Sequence, residues 1–235
     1  RRERMTLKEA IDISAEVTRL LKKMPKVKRI SVAGSLRRMK ETVRDIDILV
    51  TSTNPKKVMD SFVKFPFVGQ VVAHGQTKSS ILTKQSVQVD VRVVEPSSFG
   101  AALVYFTGSQ AHNIRIRHIA KTKGLKINEY GVFDEKTDKR IAGKEEADVY
   151  KTIGLPYITP ELREDRGEIE AGMKNHLPKL IEMSEIKGDF HVHSNWSDGR
   201  NSIEDMARAC KDMGYEYVVI ADHSASLKIA GGLSN

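Results

Sequence analysis

Apolar residues recur every three or four positions near the start of the chain: Leu7, Ala10, Ile11, Val17, Leu20, Leu21 and Met24. That period lines one face of a helix, and the spacing predicts one over residues 6–24. Thr6 and Glu9 form a capping box at its start, and Pro25 stops it. Residues 86–94, SVQVDVRVV, switch to a period of two. Val87, Val89, Val91 and Val93 then share one face of a strand, and Gln88, Asp90 and Arg92 the other. Further strands are predicted at 29–33, 45–51, 67–73 and 80–84. A short helix starts at Asn54-Pro55, with proline at a tolerated first position, and runs to about 63. The sum is a small sheet with helices on one face.

Glu95-Pro96-Ser97-Ser98 marks a boundary. Beyond it the pattern predicts helices at 99–106 and 110–123, with Gly124 at the C-terminal cap. Short extended pieces follow at 126–128 and 130–133, then a turn at 134–139 and a stretch at 140–142 that pairs back. A helix at 145–153 ends at Gly154. The charged stretch 162–170 reads as an exposed connector. A fresh strand begins at Lys187, Ser202 caps a helix that ends at Gly214, and residues 215–221 read as a buried strand.

Composition changes the picture only in part. With 235 residues, 40% hydrophobic and 30% charged, the chain suits one or two soluble globular domains with a real core. Lys and Arg exceed Asp and Glu by 39 to 31, a net +8, which is compatible with nucleic acid binding. The single cysteine, Cys210, excludes an intrachain disulfide and fits a reducing, cytoplasmic compartment; it lies on the buried side of its helix. No apolar run reaches transmembrane length and no signal peptide is visible, so no membrane partner is expected. The opening RRERM and the closing AGGLSN read as the ends of a fragment.

Three groups of residues carry chemistry. The first is AGSLRRMKETVRDIDILV, residues 33–50. Asp45 and Asp47 fall on one face of a strand, and Asp90 sits on the polar face of another. Carboxylates so placed repel one another unless a cation lies between them, and hard divalent cations take oxygen ligands. Gly34 and Ser35 let a ligand approach the backbone, beside the positive Arg37 and Arg38. A lone Asp-x-Asp is also an ordinary acidic strand end; the third aspartate shifts the weight towards a metal-bound polyphosphate. The second group is Tyr105-Phe106-Thr107-Gly108-Ser109, followed by Asn113 and Arg117 on one helical face. From 99 to 128 there are five Lys or Arg and no Asp or Glu, which suits a phosphate backbone or, more plainly, a solvated helix face. The third is His191-Val192-His193, then Ser197-Asp198-Gly199 and Asp222-His223. Two histidines at i and i+2 on a strand can share a metal, or be structural.

The first group resembles the nucleotidyltransferase superfamily, and YFTGS with Asn113 and Arg117 resembles the nucleotide-selecting motif of the family X DNA polymerases, the group that contains DNA polymerase beta. The third group resembles the start of a PHP domain, a metal-dependent phosphoesterase barrel that many bacterial and archaeal members carry. The resemblance implies an α+β fold: a nucleotidyltransferase palm over 1–96, with a mixed sheet and helices, and a small α+β nucleotide-selecting subdomain over 97–166. A linker over 167–187 and the truncated start of a PHP β/α barrel over 188–235 would follow. The family's N-terminal lyase domain and DNA-gripping subdomain have no counterpart here. By resemblance, Asp45, Asp47 and Asp90 are catalytic and bind Mg2+, with Mn2+ as a substitute. Gly34, Ser35 and Arg38 serve the triphosphate, Tyr105, Phe106, Gly108 and Asn113 the nucleotide, and Arg115, Arg117 and Lys121 the DNA. His191, His193, Asp198 and His223 would be early PHP ligands, for Mn2+ or Zn2+ in the complete domain; Asp222 is less clearly one. The set is expected to be incomplete in this chain, without a competent phosphoesterase. Gln88 departs from vertebrate relatives, which place an Arg there to steady the third aspartate. The implied activity is templated, Mg2+-dependent gap filling in DNA repair, including base excision repair, on gapped or primer-template DNA with dNTPs, by a monomer, with 3′-end trimming by the PHP domain. The rivals are an untemplated nucleotidyltransferase and a non-catalytic DNA-binding platform.

Overall fold

A computed structural model describes residues 4–233. The chain divides into two compact units, Arg1–Leu177 and Pro178–Asn235. In chain order the first unit contains β1 (Met5–Thr6), α1 (Leu7–Lys22), β2 (Val27–Val32), α2 (Gly34–Arg37), β3 (Thr42–Val43), β4 (Asp45–Ser52) and α3 (Pro55–Phe62). Next come β5 (Val68–His74), β6 (Lys78–Thr83), β7 (Gln88–Val93), α4 (Phe99–Thr107) and α5 (Gln110–Thr122). The unit closes with β8 (Leu125–Asn128), β9 (Gly131–Asp134), β10 (Arg140–Ala142), α6 (Glu146–Thr152) and α7 (Glu168–Met173). The capping box at Thr6 and Glu9 is present, and Asn54 caps α3 through Lys57 N.

A five-stranded sheet in the order β2-β4-β7-β6-β5 organises the first half of this unit. Its central pair, β4 and β7, is parallel; the other pairs are antiparallel. Alternation sends Ile46, Ile48 and Val50 of β4, with Val89 and Val91 of β7, into a core shared with Val17, Leu21, Met59 and Phe62 of α1 and α3. The opposite face is not bare. Leu49 packs there with Ala33 against Phe99, Ala102 and Leu103, so α4 covers part of the side that also carries Asp45 and Asp47. The sheet therefore has helices on both faces, not one as the pattern predicts. Its second face needs α4 because Leu49 points there.

The second half of the unit builds its own core. The antiparallel sheet β10-β9-β8 packs with α5 and α6 around Ile116, Ala120, Val132, Val149, Tyr150 and Ile158. Ile169 joins this core, and Arg163 is fully buried. Residues 162–170 are thus not the exposed connector that their charge predicts. Charge is a guide to exposure only where it lacks partners, and here partners exist.

Glu146, at the start of α6, is the chief one. Its Oε1 accepts from Arg37 Nη1 at 2.8 Å and from Arg163 Nη1 at 2.8 Å, and its Oε2 accepts from Arg37 Nη2 at 2.6 Å. Arg163 Nε donates to Ile158 O at 2.9 Å, and its guanidinium lies over the rings of Tyr150 and Tyr157. Arg37 Nη1 also reaches Thr107 Oγ1. One carboxylate therefore joins α2 beneath the sheet to the end of α4, to α6 and to Arg163.

The second unit contains β11 (Gly188–Val192), α8 (Ile203–Asp212) and β12 (Tyr217–Ile220). β11 and β12 pair in parallel, α8 is capped by Ser202, and Cys210 is buried as expected. β12 is not the buried strand that its apolar run predicts: Tyr217 and Val219 are exposed. In this unit the described residues give it one paired strand at its edge, β11, and none of its residues is fully buried.

Removing the shared carboxylate tests the junction. Glu146→Ala leaves the buried Arg163 and the half-buried Arg37 without their counter-charge and should cost roughly 3 kcal/mol in urea unfolding. Burial pushes the Glu146 carboxyl up, but the Arg37 hydrogen bonds and the Arg163 and Arg37 charges outweigh it and hold the group below its usual 4.5. A depressed folded value means this stabilisation is whole above about pH 4.5 and is lost as pH falls through the lowered one. Thermal midpoints measured from pH 7 down to 3 should therefore fall less steeply in Glu146→Gln than in the wild type.

Candidate active site

The parallel register of β4 and β7 places the carboxylates. Asp45 pairs with Gln88 and Asp47 with Asp90, so all three aspartates share one face of neighbouring strands. All three are half-buried. Burial, then the charges of Asp45 and Asp90, push the Asp47 carboxyl up to about 6, against the smaller opposing pull of Arg92 and Lys78. Negative charge accumulates there faster than the neighbouring cations offset it. Such an all-oxygen donor set fits a hard divalent cation. The three do not converge as tightly as a three-ligand set: among the described residues, the one group whose ligand atoms all lie within 4.8 Å of one another is His193, Asp198 and His223.

The turn after β2 closes on this face. Ala33 N donates to Asp47 O at 2.8 Å. Gly34 follows with φ +62°, and a Cβ on it would stand 2.8 Å from Asp47 Oδ2. Glycine is needed twice here, for its dihedral and for its lack of a side chain. Ser35 is half-buried beside it. Arg38 does not point free: its Nε donates to Glu164 Oε1 at 2.8 Å and its Nη1 to Thr107 O.

Gln88 answers a question that the sequence leaves open. Its Nε2 donates to Asp90 Oδ1 at 2.9 Å, so a neutral amide steadies the third aspartate. Alternation already put Gln88, Asp90 and Arg92 on one face, and that was the available signal. Arg92 is committed elsewhere, with its guanidinium 4.4 Å from the centre of the Phe106 ring and its Nε buried without a partner. Lys78, Arg92, Phe106 and Tyr130 border a cavity of about 260 Å³.

The YFTGS segment forms the end of α4 and the cap of α5. Tyr105 and Phe106 meet edge to face with ring centres 5.0 Å apart. Gly108 has φ +72°, the peptide between Gly108 and Ser109 is cis, and Ser109 Oγ accepts from His112 N to cap α5. Asn113 is buried; its Nδ2 donates to Tyr105 O at 2.7 Å, while its Oδ1 has no partner. Arg117 and Lys121 are exposed, with Arg117 Nε on Asn113 O. Arg115 instead pairs with Asp165 at 3.1 Å and with Glu170. The sequence did not disclose these pairings, nor that His112 would be buried against Glu168, because its partners lie about 50 residues away.

The second unit brings His193, Asp198 and His223 together, with the His193 and His223 rings 4.6 Å apart. His193 Nδ1 lies 3.0 Å from Asp198 Oδ1 yet is buried without a hydrogen-bond partner, an arrangement that suits ligands turned towards a shared ion. His191 stacks beside His193 but is outside that set. Asp222 accepts from Ser194 N at 2.7 Å and from the Ser194 and Ser197 hydroxyls, so it holds the loop that carries Asp198.

Known proteins carry the same parts in the same order. Residues 4–116 match the family model of the DNA polymerase beta palm, 102–164 that of the DNA polymerase beta thumb, and 189–230 that of the PHP domain. The chain is 41% identical over 234 residues to a DNA polymerase/3'-5' exonuclease PolX of Bacillus subtilis, covering 99% of this chain and 41% of that protein. It is 31% identical over 159 residues to DNA polymerase lambda of Rattus norvegicus, covering 56% and 28%. It is 29% identical over 142 residues to a repair DNA polymerase X of African swine fever virus, covering 58% and 82%. The chain thus spans about two fifths of the Bacillus relative. In fold it is similar to Leishmania infantum polymerase beta in a ternary complex, with TM-score 0.61 and 24% identity over 69% of this chain and 77% of that one. Proteins of this family and PHP domains are metal-dependent. No helix among the described residues is long and apolar enough to cross a membrane.

A paired substitution separates the two demands on Gly34. Gly124 also has a positive φ, +69°, but a Cβ there meets nothing within 4 Å. Gly124→Ala should cost on the order of 1 kcal/mol from backbone strain alone. Gly34→Ala should lower the unfolding free energy further, because its methyl collides with the Asp47 carboxylate. Equal losses in the two variants would show that the contact carries no weight.

Proposed function

The chain belongs to the family X DNA polymerases, and on that premise we propose that it carries out templated transfer of a nucleotide from a dNTP to a primer 3′-hydroxyl. The observation that carries this reading is the placement of Asp47 opposite Asp90 on parallel strands, with Asp45 beside them and Gly34 against Asp47. The 3′-oxygen bonds to the α-phosphorus, the bond to the bridging oxygen breaks, and pyrophosphate leaves. Mg2+, or Mn2+ in its place, held by Asp45, Asp47 and Asp90 would acidify the hydroxyl and offset the charge of the triphosphate.

The remaining residues bind and orient. Ser35 and Arg38 take the triphosphate, which requires Arg38 to exchange Glu164 for phosphate oxygens. Tyr105 and Phe106 lie beneath the sugar, where a 2′-hydroxyl would clash. Asn113 reads the minor-groove edge of the incoming base, which requires its Nδ2 to exchange Tyr105 O for an N3 or O2 acceptor of that base. Gln88 holds Asp90 in place. Arg115, Arg117 and Lys121 meet the backbone of gapped or primer-template DNA. The domain limits we assign are 1–96 for the palm, 97–177 for the nucleotide-selecting part, extended from 166 to take in α7, 178–187 for the linker and 188–235 for the PHP segment. The protein acts as a monomer in the cytoplasm, at the nucleoid during short-gap repair. In the second unit His193, Asp198 and His223 form part of a Mn2+ or Zn2+ site for trimming 3′ ends, with His191 at its margin; this partial set does not support hydrolysis by itself.

Two measurements test the reading. Primer extension across a one-nucleotide gap, with Mg2+ and each dNTP offered singly, should insert only the complementary nucleotide. The Asp45→Ala/Asp47→Ala variant should insert none. Insertion that ignores the template would establish an untemplated nucleotidyltransferase, and a wild type that shows neither insertion nor Mg2+-dependent dNTP binding would overturn the assignment of the aspartates. Calorimetric titration with Mn2+ or Zn2+ should find one weakly held ion in the second unit, lost in His193→Ala. Several tightly held ions would show a complete site.

A further inference from the structure

Residues 163–170 grip the nucleotide-selecting helix from behind. Arg163 O accepts from Ser109 N at 2.9 Å. Glu168, buried, accepts from His112 Nδ1 at 2.7 Å, and the other ring nitrogen of His112 faces the Tyr150 hydroxyl at 2.9 Å. Glu168 also accepts from Asp165 N at 2.9 Å and from Arg166 N at 2.7 Å, so both of its oxygens are used. Asp165 and Glu170 hold Arg115 one turn further along α5. Ile169 anchors the grip in the second core. Most of this segment lies beyond residue 164, where the match to the thumb model stops.

A hydrophobic pair in place of Glu168 and His112 would pack without desolvating a carboxylate, and such replacements are often neutral or stabilising. What the polar pair adds is direction. The imidazole is held at both nitrogens in one orientation, which fixes the rotation of the first turn of α5. Burial outweighs the Glu168 hydrogen bond and charge and holds the His112 imidazole below its usual range, in keeping with a neutral ring that donates to Glu168 and accepts from Tyr150. Asn113 is the next residue, and Ser109 caps this same turn through His112 N.

We propose that Glu168, acting through His112, is a positioning residue for nucleotide selection, setting where Ser109 and Asn113 stand against an incoming dNTP. This rests on the polymerase reading above. α7 is then part of the polymerase site, although it lies beyond the residues that match the thumb model. The contact is indirect: Glu168 touches no reacting group, and it acts on affinity and discrimination before it acts on the chemical step.

The test compares three variants of the chain on gapped DNA. Glu168→Ala removes the acceptor. Glu168→Gln keeps the oxygen that faces His112 and Asp165. Ile169→Ala loosens the same core, Ile116 and Ala120 of α5 included, but leaves the hydrogen bonds to His112 and Ser109 in place. Glu168→Ala should raise KM for the complementary dNTP on the order of tenfold, with kcat changed far less and discrimination against mismatches narrowed. Glu168→Gln should recover most of this loss, and Ile169→Ala should lower Tm while leaving KM in place. Amide hydrogen exchange at 109–113 should quicken in Glu168→Ala alone. If Glu168→Ala and Ile169→Ala lower Tm alike and shift KM equally, or not at all, the positioning role is overturned. Unchanged exchange at 109–113 overturns it as well. If the wild type neither inserts nor binds dNTP, the polymerase reading fails instead, and the exchange experiment still decides whether Glu168 orders α5.

Discussion

A single carboxylate shared by the buried Arg163 and the half-buried Arg37 ties the halves of the first unit together. Glu146 takes three hydrogen bonds, from Arg37 under the sheet and from Arg163 in the second core. Each ion alone would be costly to bury; together they pair with one another and with the neighbouring Thr107 and Ile158, leaving Arg163 Nη2 as the one orphaned donor of that guanidinium. α4 spans both cores, with Ala102 and Leu103 against Leu49 and with Ala101 and Val104 in the second core, and the junction fixes the end of that helix, where the YFTGS turn begins. Arg37 is the neighbour of Arg38, and Arg163 is the neighbour of Glu164. Fixing the first pair on Glu146 therefore sets the second pair against each other at 2.8 Å.

The acidic face works under the opposite regime. Three half-buried carboxylates are left short of counter-charge, while the nearest guanidinium on the same strand, Arg92, is turned to the Phe106 ring. Asp90 is held by a neutral amide, which orients it and leaves its charge unspent. Elsewhere in the unit the buried acids Glu146 and Glu168 have found their cations or N–H groups. The contrast separates scaffold from site: Glu146 and Glu168 are satisfied within the fold, and Asp47 is not.

Much of this was legible in the sequence, because the relevant signals are local. Period two in SVQVDVRVV placed Asp90 and Gln88 on one face, and Thr6, Asn54 and Ser202 located three helix starts. The signals failed where a long-range partner changes the meaning of a residue type. A run such as LREDRGEIE looks solvated until Glu146 and His112 arrive from elsewhere in the chain. An apolar run such as YVVI looks buried until its sheet proves to have only one other strand. Leu49 pointed away from the main core for the same reason: α4, which covers it, comes 50 residues later.

The parallel alignment of β4 with β7 also limits how such a chain can change in length. Adding or deleting one residue between Ile48 and Val50, with the end of the strand held in register, would exchange the two faces of everything before it. The carboxylates would enter the core beside Phe62, and Ile46 and Ile48 would face the substrate side. No compensating point mutation restores that arrangement; only a second indel in the same strand does. Length is therefore frozen in β4 and in β7, whereas the turn between β5 and β6, where neither face carries the site, is free to drift among descendants.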